Sequence, residues 1–310
     1  MGNKAYKYAG ADVISKVFSQ EGYCNFKCSY PKDFNDPYEL FLTIDYNQEP
    51  GVLAYYHETI GKLPQLATTC FSKSPDVIPM WAHYAHNHQG VVIEVDEEIL
   101  SEFLPEVRFG DIDYLDEPDE SILEVLQRAH ATCKARHVYF LQNAVFSAAY
   151  YTKNTCWSYE EEKRLVVAPE DCIELNELLL IQLPTECITA LIVGHQSTSN
   201  TKESIKDLSK KLECSYYEMH IGRSNPVPYF SNDEKATYTF NGSSIARNIK
   251  NCRSCNEPIH ETNNLCPWCS IEHTHKTEAA IRNPMRMMDN IGMLERYYRE
   301  ANEIGRGVKK

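Results

Sequence analysis

The sequence predicts an α+β fold over about residues 1–222, followed by a small metal-held module and an amphipathic helix. Three observations carry this prediction. Helical and strand patterns mix without strict β-α alternation, which disfavours a doubly wound sheet. Apolar residues make up 43% of the 310 and aromatics 11%, enough for a real core rather than disorder. Composition shifts near Gly222, and two Cys-x-x-Cys pairs follow.

The elements follow in chain order. Val13, Ile14, Val17 and Phe18 sit at helical spacing within Asp12–Gln20. Cys24, Phe26, Cys28 and Tyr30 alternate with polar residues and predict a strand that stops at Pro31. Phe34-Asn35-Asp36-Pro37-Tyr38-Glu39 is a turn cluster leading into an apolar strand, Leu40–Tyr46. Strands are expected at Leu66–Ser72 and Gly90–Asp96, with a helix at Val77–His88 between them. A long helical stretch spans roughly Ser121–Tyr151, its inner face marked by Ile122, Val125, Leu126 and Ala129. The apolar run Ile188–Val193 reads as a buried strand, Lys202–Leu212 as a helix and Ser215–Ile221 as a strand. Residues 223–248, rich in Asn, Ser, Pro and Gly, read as a linker. Over 277–304, Ile281, Met285, Met288, Ile291, Leu294 and Tyr298 trace one helical stripe with Pro284 near its start. Such a helix can dock on its own domain, dimerise or fill a partner's groove, with a lean to self-association.

Composition also bounds function. A formal charge of −13 argues against a broad electrostatic grip on nucleic acid or anionic membrane. The sequence has no run of about eighteen apolar residues, and Met1–Gly10 lacks a signal-peptide layout. The expectation is a soluble, cytoplasmic protein. Eight of the twelve cysteines are scattered in apolar contexts and read as core.

The other four, Cys252, Cys255, Cys266 and Cys269, form two Cys-x-x-Cys turns separated by ten residues. Each turn curls a thiolate pair toward one tetrahedral Zn²⁺, so 249–272 reads as a zinc ribbon. Four protein ligands leave no open position, which makes the site structural. The ribbon is not markedly basic, with Lys250 and Arg253 against Glu257 and Glu261, so a protein-docking or dimer-bracing role is favoured over nucleic-acid reading.

Chemistry in the first 220 residues centres on Trp157–Val167. Three acids, Glu160, Glu161 and Glu162, run into Lys163, Arg164 and an apolar tail, the pattern of a strand beginning at an exposed edge or cleft. Alternation puts Glu160, Glu162 and Arg164 on one face. Either these charges form a solvated strand end or they bind something. Upstream, Tyr6-Lys7-Tyr8, Cys70-Phe71-Ser72 and the helical face of Trp81, Tyr84, Ala85 and His88 mix polar and aromatic side chains where a core needs only apolar ones. Asn35 and Asp36 read as turn formers or as a loop bordering a cleft, and Cys70 as a buried thiol rather than a nucleophile. His83, His86 and His88 do not share a helical face, so they form no evident metal site.

In that order, Phe34-Asn-Asp-Pro-Tyr-Glu39, Cys70-Phe-Ser72, Met80-Trp-x-x-Tyr-Ala85-x-x-His88-x-Gly90 and Trp157-x-Tyr-Glu-x-Glu162-x-Arg164 resemble a widespread bacterial family with the hallmark F-N-D-P-[FY]-E, still called a domain of unknown function. The resemblance spans about residues 4–195 and implies a link to phage defence. Its layout is in turn similar to that of ADP-ribosyltransferases, which implies a mixed sheet with flanking helices, NAD⁺ as substrate, and catalytic roles for Tyr8, Ser72, Glu160 and Glu162. It further implies that Lys7, Asn35, Asp36, Trp81, Tyr84 and Arg164 border or bind the nucleotide. Two positions depart from the family pattern: Ala9 stands where an Arg is frequent, and Lys163 where an aromatic is common. Both leave open a domain that binds a nucleotide without turning it over.

Overall fold

The computed structural model describes residues 3–36, 43–61, 63, 65–105, 107–175, 177–259 and 262–307. They divide into two compact units, one of residues 1–222 with 227–248 and one of 223–226 with 249–310.

The first unit is mixed α+β. In chain order it contains β1 (Lys4–Ala9), α1 (Ile14–Val17), β2 (Tyr23–Cys28), α2 (Pro50–Ile60), β3 (Ala67–Ser72), α3 (Ile78–Tyr84), β4 (Val91–Asp96) and α4 (Glu97–Phe103). These are followed by β5 (Arg108–Asp111), β6 (Asp113–Leu115), α5 (Glu120–Thr132), α6 (Ala135–Tyr151), β7 (Thr152–Asn154) and β8 (Glu162–Val167). The unit is completed by β9 (Ile173–Leu175), β10 (Leu178–Pro184), β11 (Ile188–Val193), α7 (Ser199–Lys211), β12 (Ser215–His220), β13 (Tyr229–Ser231), β14 (Thr237–Phe240) and β15 (Ile245–Arg247). Ten strands form one sheet in the order β15-β14-β13-β12-β11-β4-β1-β3-β8-β5. Among the described residues only β11 and β12 in it run parallel, joined through α7.

Both faces of the sheet are covered. On one, Phe71, Ile93, Val95, Leu165, Leu191 and Val193 pack against Phe26, Ile181 and Leu183 of a second sheet, β2-β10-β9. On the other, Tyr6, Tyr8, Val92, Ile192, Met219 and Phe230 pack against Met80 and Trp81 of α3. A third cluster joins α2, α5 and α6 through Tyr56, Leu126, Leu141 and Val145. Trp81 is wholly buried, donates Nε1–H to the Pro75 carbonyl at 2.7 Å, and meets Tyr8 edge-to-face at 5.4 Å.

Several sequence expectations are corrected here. The 223–248 linker is not a linker throughout, because 227–248 supply β13, β14 and β15, strands of three or four residues too short for periodicity to reveal. The long helix over 121–151 is broken at Cys133, which caps α5 in a left-handed conformation at φ 49°. The helix at 77–88 stops at Tyr84, before the left-handed run His86, Asn87 and His88. Of the expected strand at 40–46, residues 40–42 lie outside the described residues and 43–46 are not in a strand.

In the second unit the predicted helix at 277–304 is three helices, α8 (His273–Arg282), α9 (Pro284–Asn290) and α10 (Leu294–Gly307). Pro284 cannot continue α8. Asn283 instead caps α9 by accepting from the Met285 and Arg286 amides, and Gly292 turns the chain at φ 70°. No described helix is long and apolar enough to cross a membrane.

Candidate functional site

A cleft of about 170 Å³ opens where the large sheet parts between β1 and β3. The strand β1 pairs with β4 along its whole length, and β3 does so with β8, yet β1 meets β3 only at Tyr6 opposite Ser72. Side chains from both sheet faces reach the gap. Tyr6, Tyr8 and Ser72 come from one face and Lys7 and Phe71 from the other, with Phe34, Asn35, Met80 and Tyr84 closing the walls. Lys7 spans the parting, donating to Thr69 Oγ1 at 2.9 Å and to the Cys70 carbonyl at 2.7 Å, where a sheet ladder would otherwise run. Burial among these neutral groups holds its ammonium below the usual lysine range.

The opposite wall is ionic. Register places Glu162 directly across from Ser72, and Arg164 across from Cys70, so all four occupy one face of β3 and β8. Glu160 lies in a short 3₁₀ turn, and Glu161, left-handed at φ 44°, redirects the chain into β8. That turn brings both acids to one cation. Lys153 of β7 donates to Glu160 Oε2 at 2.6 Å and to Glu162 Oε2 at 3.2 Å, and lies over the Trp157 ring at 4.8 Å. Arg164 holds Glu162 through Nε at 2.8 Å and a second guanidinium nitrogen at 3.3 Å, donates to the Tyr150 carbonyl and stacks on Phe34. Glu160 also accepts from the Tyr84 hydroxyl at 2.6 Å, and that hydroxyl accepts from Asn35 at 2.8 Å. A continuous chain of hydrogen bonds therefore runs from Asn35 through Tyr84, Glu160, Lys153 and Glu162 to Arg164.

Environment separates the two carboxyls. Burial pushes Glu162 up, but Arg164 and Lys153 outweigh it and hold the group at about 2. Burial also raises Glu160, and the Lys153 ammonium does not fully offset this. Lys153 loses by burial and gains more from Glu162 and Glu160, so it stays charged. Tyr8 donates to the Ser74 carbonyl at 2.9 Å, and burial keeps its phenol protonated. Ser72 is buried and accepts from the Ser74 amide at 3.2 Å.

Of the residues read from sequence, Tyr8, Ser72, Glu160, Glu162, Lys7, Asn35 and Tyr84 line this one cleft. Three do not. Trp81 is core behind Tyr8, Asp36 is buried outside the described lining, and Arg164 lies wholly buried behind Glu162. Of the two settings expected for the start of β8, an exposed edge or a cleft, the strand has the second: it runs between β3 and β5 with every side chain buried, and Glu162 lines the cleft. Pro37, Tyr38 and Glu39 of the turn motif lie outside the described residues. Sequence reasoning missed Lys153, whose short strand β7 gives no periodic signal, and took Cys70 for simple core. The Cys70 thiol lines the cleft, and burial pushes it above its usual value.

Comparison with known proteins finds a family model that matches part of the chain and one solved structure. The model of a family of unknown function, DUF2971, matches residues 80–165, from the start of the Met80-Trp81 motif to Leu165 in β8. DarT from Thermus sp. 2.9, solved in complex with ADP-ribosylated ssDNA, aligns with 68% of this chain and 90% of its own at 10% identity and a TM-score of 0.30. No curated protein matches the chain.

A separate candidate centre lies in the second unit. The sulfurs of Cys252, Cys255, Cys266 and Cys269 all fall within 4.8 Å of one another, Cys255 and Cys266 at 3.7 Å. A tetrahedral ion with metal–sulfur bonds of about 2.3 Å needs edges of roughly 3.8 Å, so the four thiols can hold one metal ion. Each turn is closed by backbone, the Asn256 amide donating to the Cys252 carbonyl and the Ser270 amide to that of Cys266.

Proposed function

We propose that the first unit is an ADP-ribosyltransferase-like enzyme that takes the nicotinamide–ribose end of NAD⁺ into the cleft between β1 and β3. The observation that carries this reading is the meeting of Tyr8, Ser72, Glu160 and Glu162 in one cleft with aromatic walls. A cleft of about 170 Å³ is small beside common ligand pockets of roughly 300–1,000 Å³, and suits one end of a dinucleotide. Cleaving a nicotinamide–ribose bond develops positive charge on the ribose, and a carboxylate held ionised beside it stabilises that state. Glu162 is such a group. Glu160, whose carboxyl is raised, is suited to accept or return the acceptor's proton. Tyr6, Tyr8 and Tyr84 offer ring faces, and Ser72 a hydroxyl toward the ribose.

A second reading has its own observation. Both oxygens of Glu162 are already engaged, by Arg164 and Lys153, which suits a module that senses a nucleotide or a partner without turning it over. Labelled NAD⁺ separates the two. Nicotinamide release or label transfer that disappears in Glu162→Gln supports the enzyme, binding without turnover supports a nucleotide sensor, and no binding overturns the nucleotide in either reading.

The four-cysteine centre is proposed to hold structural Zn²⁺, with the ribbon and the C-terminal helices as surfaces for a protein partner or a second copy. A role as an effector in bacterial defence follows from the family resemblance. Protein, nucleic acid and water are the candidate acceptors, and the net charge of −13 disfavours an extended nucleic-acid surface.

A further inference from the structure

Among the described residues, the buried and half-buried lysines of the first unit are paired with acids, Lys7 excepted. Lys4 lies 2.7 Å from Asp96, Lys153 2.6 Å from Glu160, Lys163 2.5 Å from Glu97 and Lys202 2.6 Å from Glu218. Lys7 is half-buried and lines the cleft, yet among the described residues no carboxylate lies within ion-pair reach of it. Its two partners are neutral acceptors on β3, the Thr69 hydroxyl at 2.9 Å and the Cys70 carbonyl at 2.7 Å. A charge withdrawn from water without a counter-ion is costly, and a lysine so placed gives up its proton readily. The bonding count fits the neutral form. An ammonium has three N–H groups to place, and beyond the two acceptors Nζ faces the Phe71 ring at 5.4 Å. A neutral amine has two N–H groups, one for each acceptor, and keeps a lone pair. The same burial holds the group below the usual lysine range.

We propose that Lys7 is a carbonyl-capture site, whose amine forms an imine with the aldehyde carbon of a small aldose held in the cleft. The Nζ lone pair attacks that carbon; the C–N bond forms, the carbonyl π bond breaks, and one nitrogen proton passes to the oxygen. The C–O bond of this carbinolamine then breaks, and the hydroxyl leaves with the second nitrogen proton as water. One amine and one aldehyde give one imine and one water, with no change of oxidation state. Added cyanoborohydride supplies hydride to the imine carbon, and water a proton to nitrogen, which fixes the link as a secondary amine.

The cleft selects the aldehyde. Lys7 lines the gap where β1 meets β3 only at Tyr6 opposite Ser72, so a small molecule reaches a nitrogen that a continuous sheet would shut in. A volume of about 170 Å³ has room for a sugar of a few carbons and not for a chain of them. Tyr6 and Tyr8 present ring surface to its C–H groups, while Ser72, Glu160 and Glu162 present polar groups to its hydroxyls. An aldehyde without hydroxyls leaves those polar groups without partners. Imine formation needs neither NAD⁺ nor turnover, so it stands or falls apart from the proposed reaction.

The test uses the full chain loaded with zinc, incubated with D-ribose and sodium cyanoborohydride at pH 7 and mapped by peptide mass spectrometry. At that pH an ordinary lysine, with a pKa of about 10.4, is neutral in roughly one molecule in 2,500, and each unit of lowering gives about tenfold more amine. The reduced pentose adduct is therefore expected at Lys7 about tenfold faster or more than at the exposed Lys27 and Lys32. Unfolding in urea should abolish the preference, and propanal, which lacks hydroxyls, should show a smaller one. Lys7→Met should lose this adduct and keep the slow background at the other lysines. A thermal melt shows whether that variant folds; the wild-type map decides the matter even where it does not. The proposal is overturned if Lys7 reacts no faster than Lys27 and Lys32, or if its preference survives unfolding. An equal preference with propanal overturns the aldose as the ligand.

Discussion

Replacing Arg164 with Met tests the ionic wall most sharply. Arg164 has no exposed surface, and its guanidinium makes two hydrogen bonds to Glu162 and one to the Tyr150 carbonyl. Methionine fills much of the volume but leaves Glu162 buried with its hydrogen bond from Lys153 and none from a guanidinium. Removing one partner of a buried pair costs about 3–5 kcal/mol. The shift of the Glu162 carboxyl from 4.5 to about 2 gives a similar scale, roughly 3 kcal/mol at 1.36 kcal/mol per pK unit. At roughly 2–4 °C of melting temperature per kcal/mol for a domain this large, Arg164→Met should melt about 10 °C below wild type at pH 7.

The pH dependence has a definite sign. In wild type the Glu162 carboxyl lies below its unfolded value, so its contribution is complete above about pH 4.5 and is lost as pH falls toward 2. Without Arg164 burial prevails and the folded value rises, so the variant's deficit is larger at pH 7 than at pH 4. The double variant Arg164→Met, Glu162→Gln should recover part of the loss, because it removes the uncompensated charge. Thermal melts at both pH values decide it. A single variant within 1 kcal/mol of wild type, or a deficit that grows on acidification, refutes the reasoning.

Three further outcomes are expected. A strong chelator, or Cys252→Ser, should release one zinc per chain, read with a colorimetric indicator, and should melt the second unit while the near-ultraviolet dichroism of the first persists. Trp81→Ala should cost about 3–5 kcal/mol in a denaturant melt, because the indole is fully buried against Tyr8. Gly90→Ala should lower yield and melting temperature, since its Cβ would lie 2.2 Å from the Ala9 carbonyl oxygen and 2.8 Å from Ala85 Cα, both backbone atoms.

The site was legible where chemistry outweighs burial as a reason for a residue. Glu160 and Glu162 stand out because a strand gains nothing from two acids at that spacing, whereas Tyr8 and Ser72 were named only through the resemblance, each within a segment that mixes polar and aromatic residues. Their setting was not legible. Glu162, Lys163 and Arg164 look solvated in one dimension, yet each is neutralised across the fold: Glu162 by Lys153 and its own neighbour Arg164, and Lys163 by Glu97 at 2.5 Å. A strand whose charges pair internally can sit between two others, and β8 does. Lys153 gave no signal because one lysine after a long helix is ordinary until its partners are known. The strands of 227–248 were hidden by length, since three or four residues between Asn, Ser and Gly turns cannot display alternation. By contrast, the fold class, most of the longer elements of the first unit and the cysteine spacing came through, because each rests on a pattern repeated over several residues.

The central claim is that Glu162, clamped by Arg164 and Lys153 beside Ser72, supports nicotinamide–ribose cleavage. Incubating wild type and Glu162→Gln with NAD⁺ labelled in the nicotinamide ring, and measuring released nicotinamide, tests it most directly. Release by wild type that vanishes in a folded Glu162→Gln is the result expected here, and equal release by both proteins, or none by either, would contradict it.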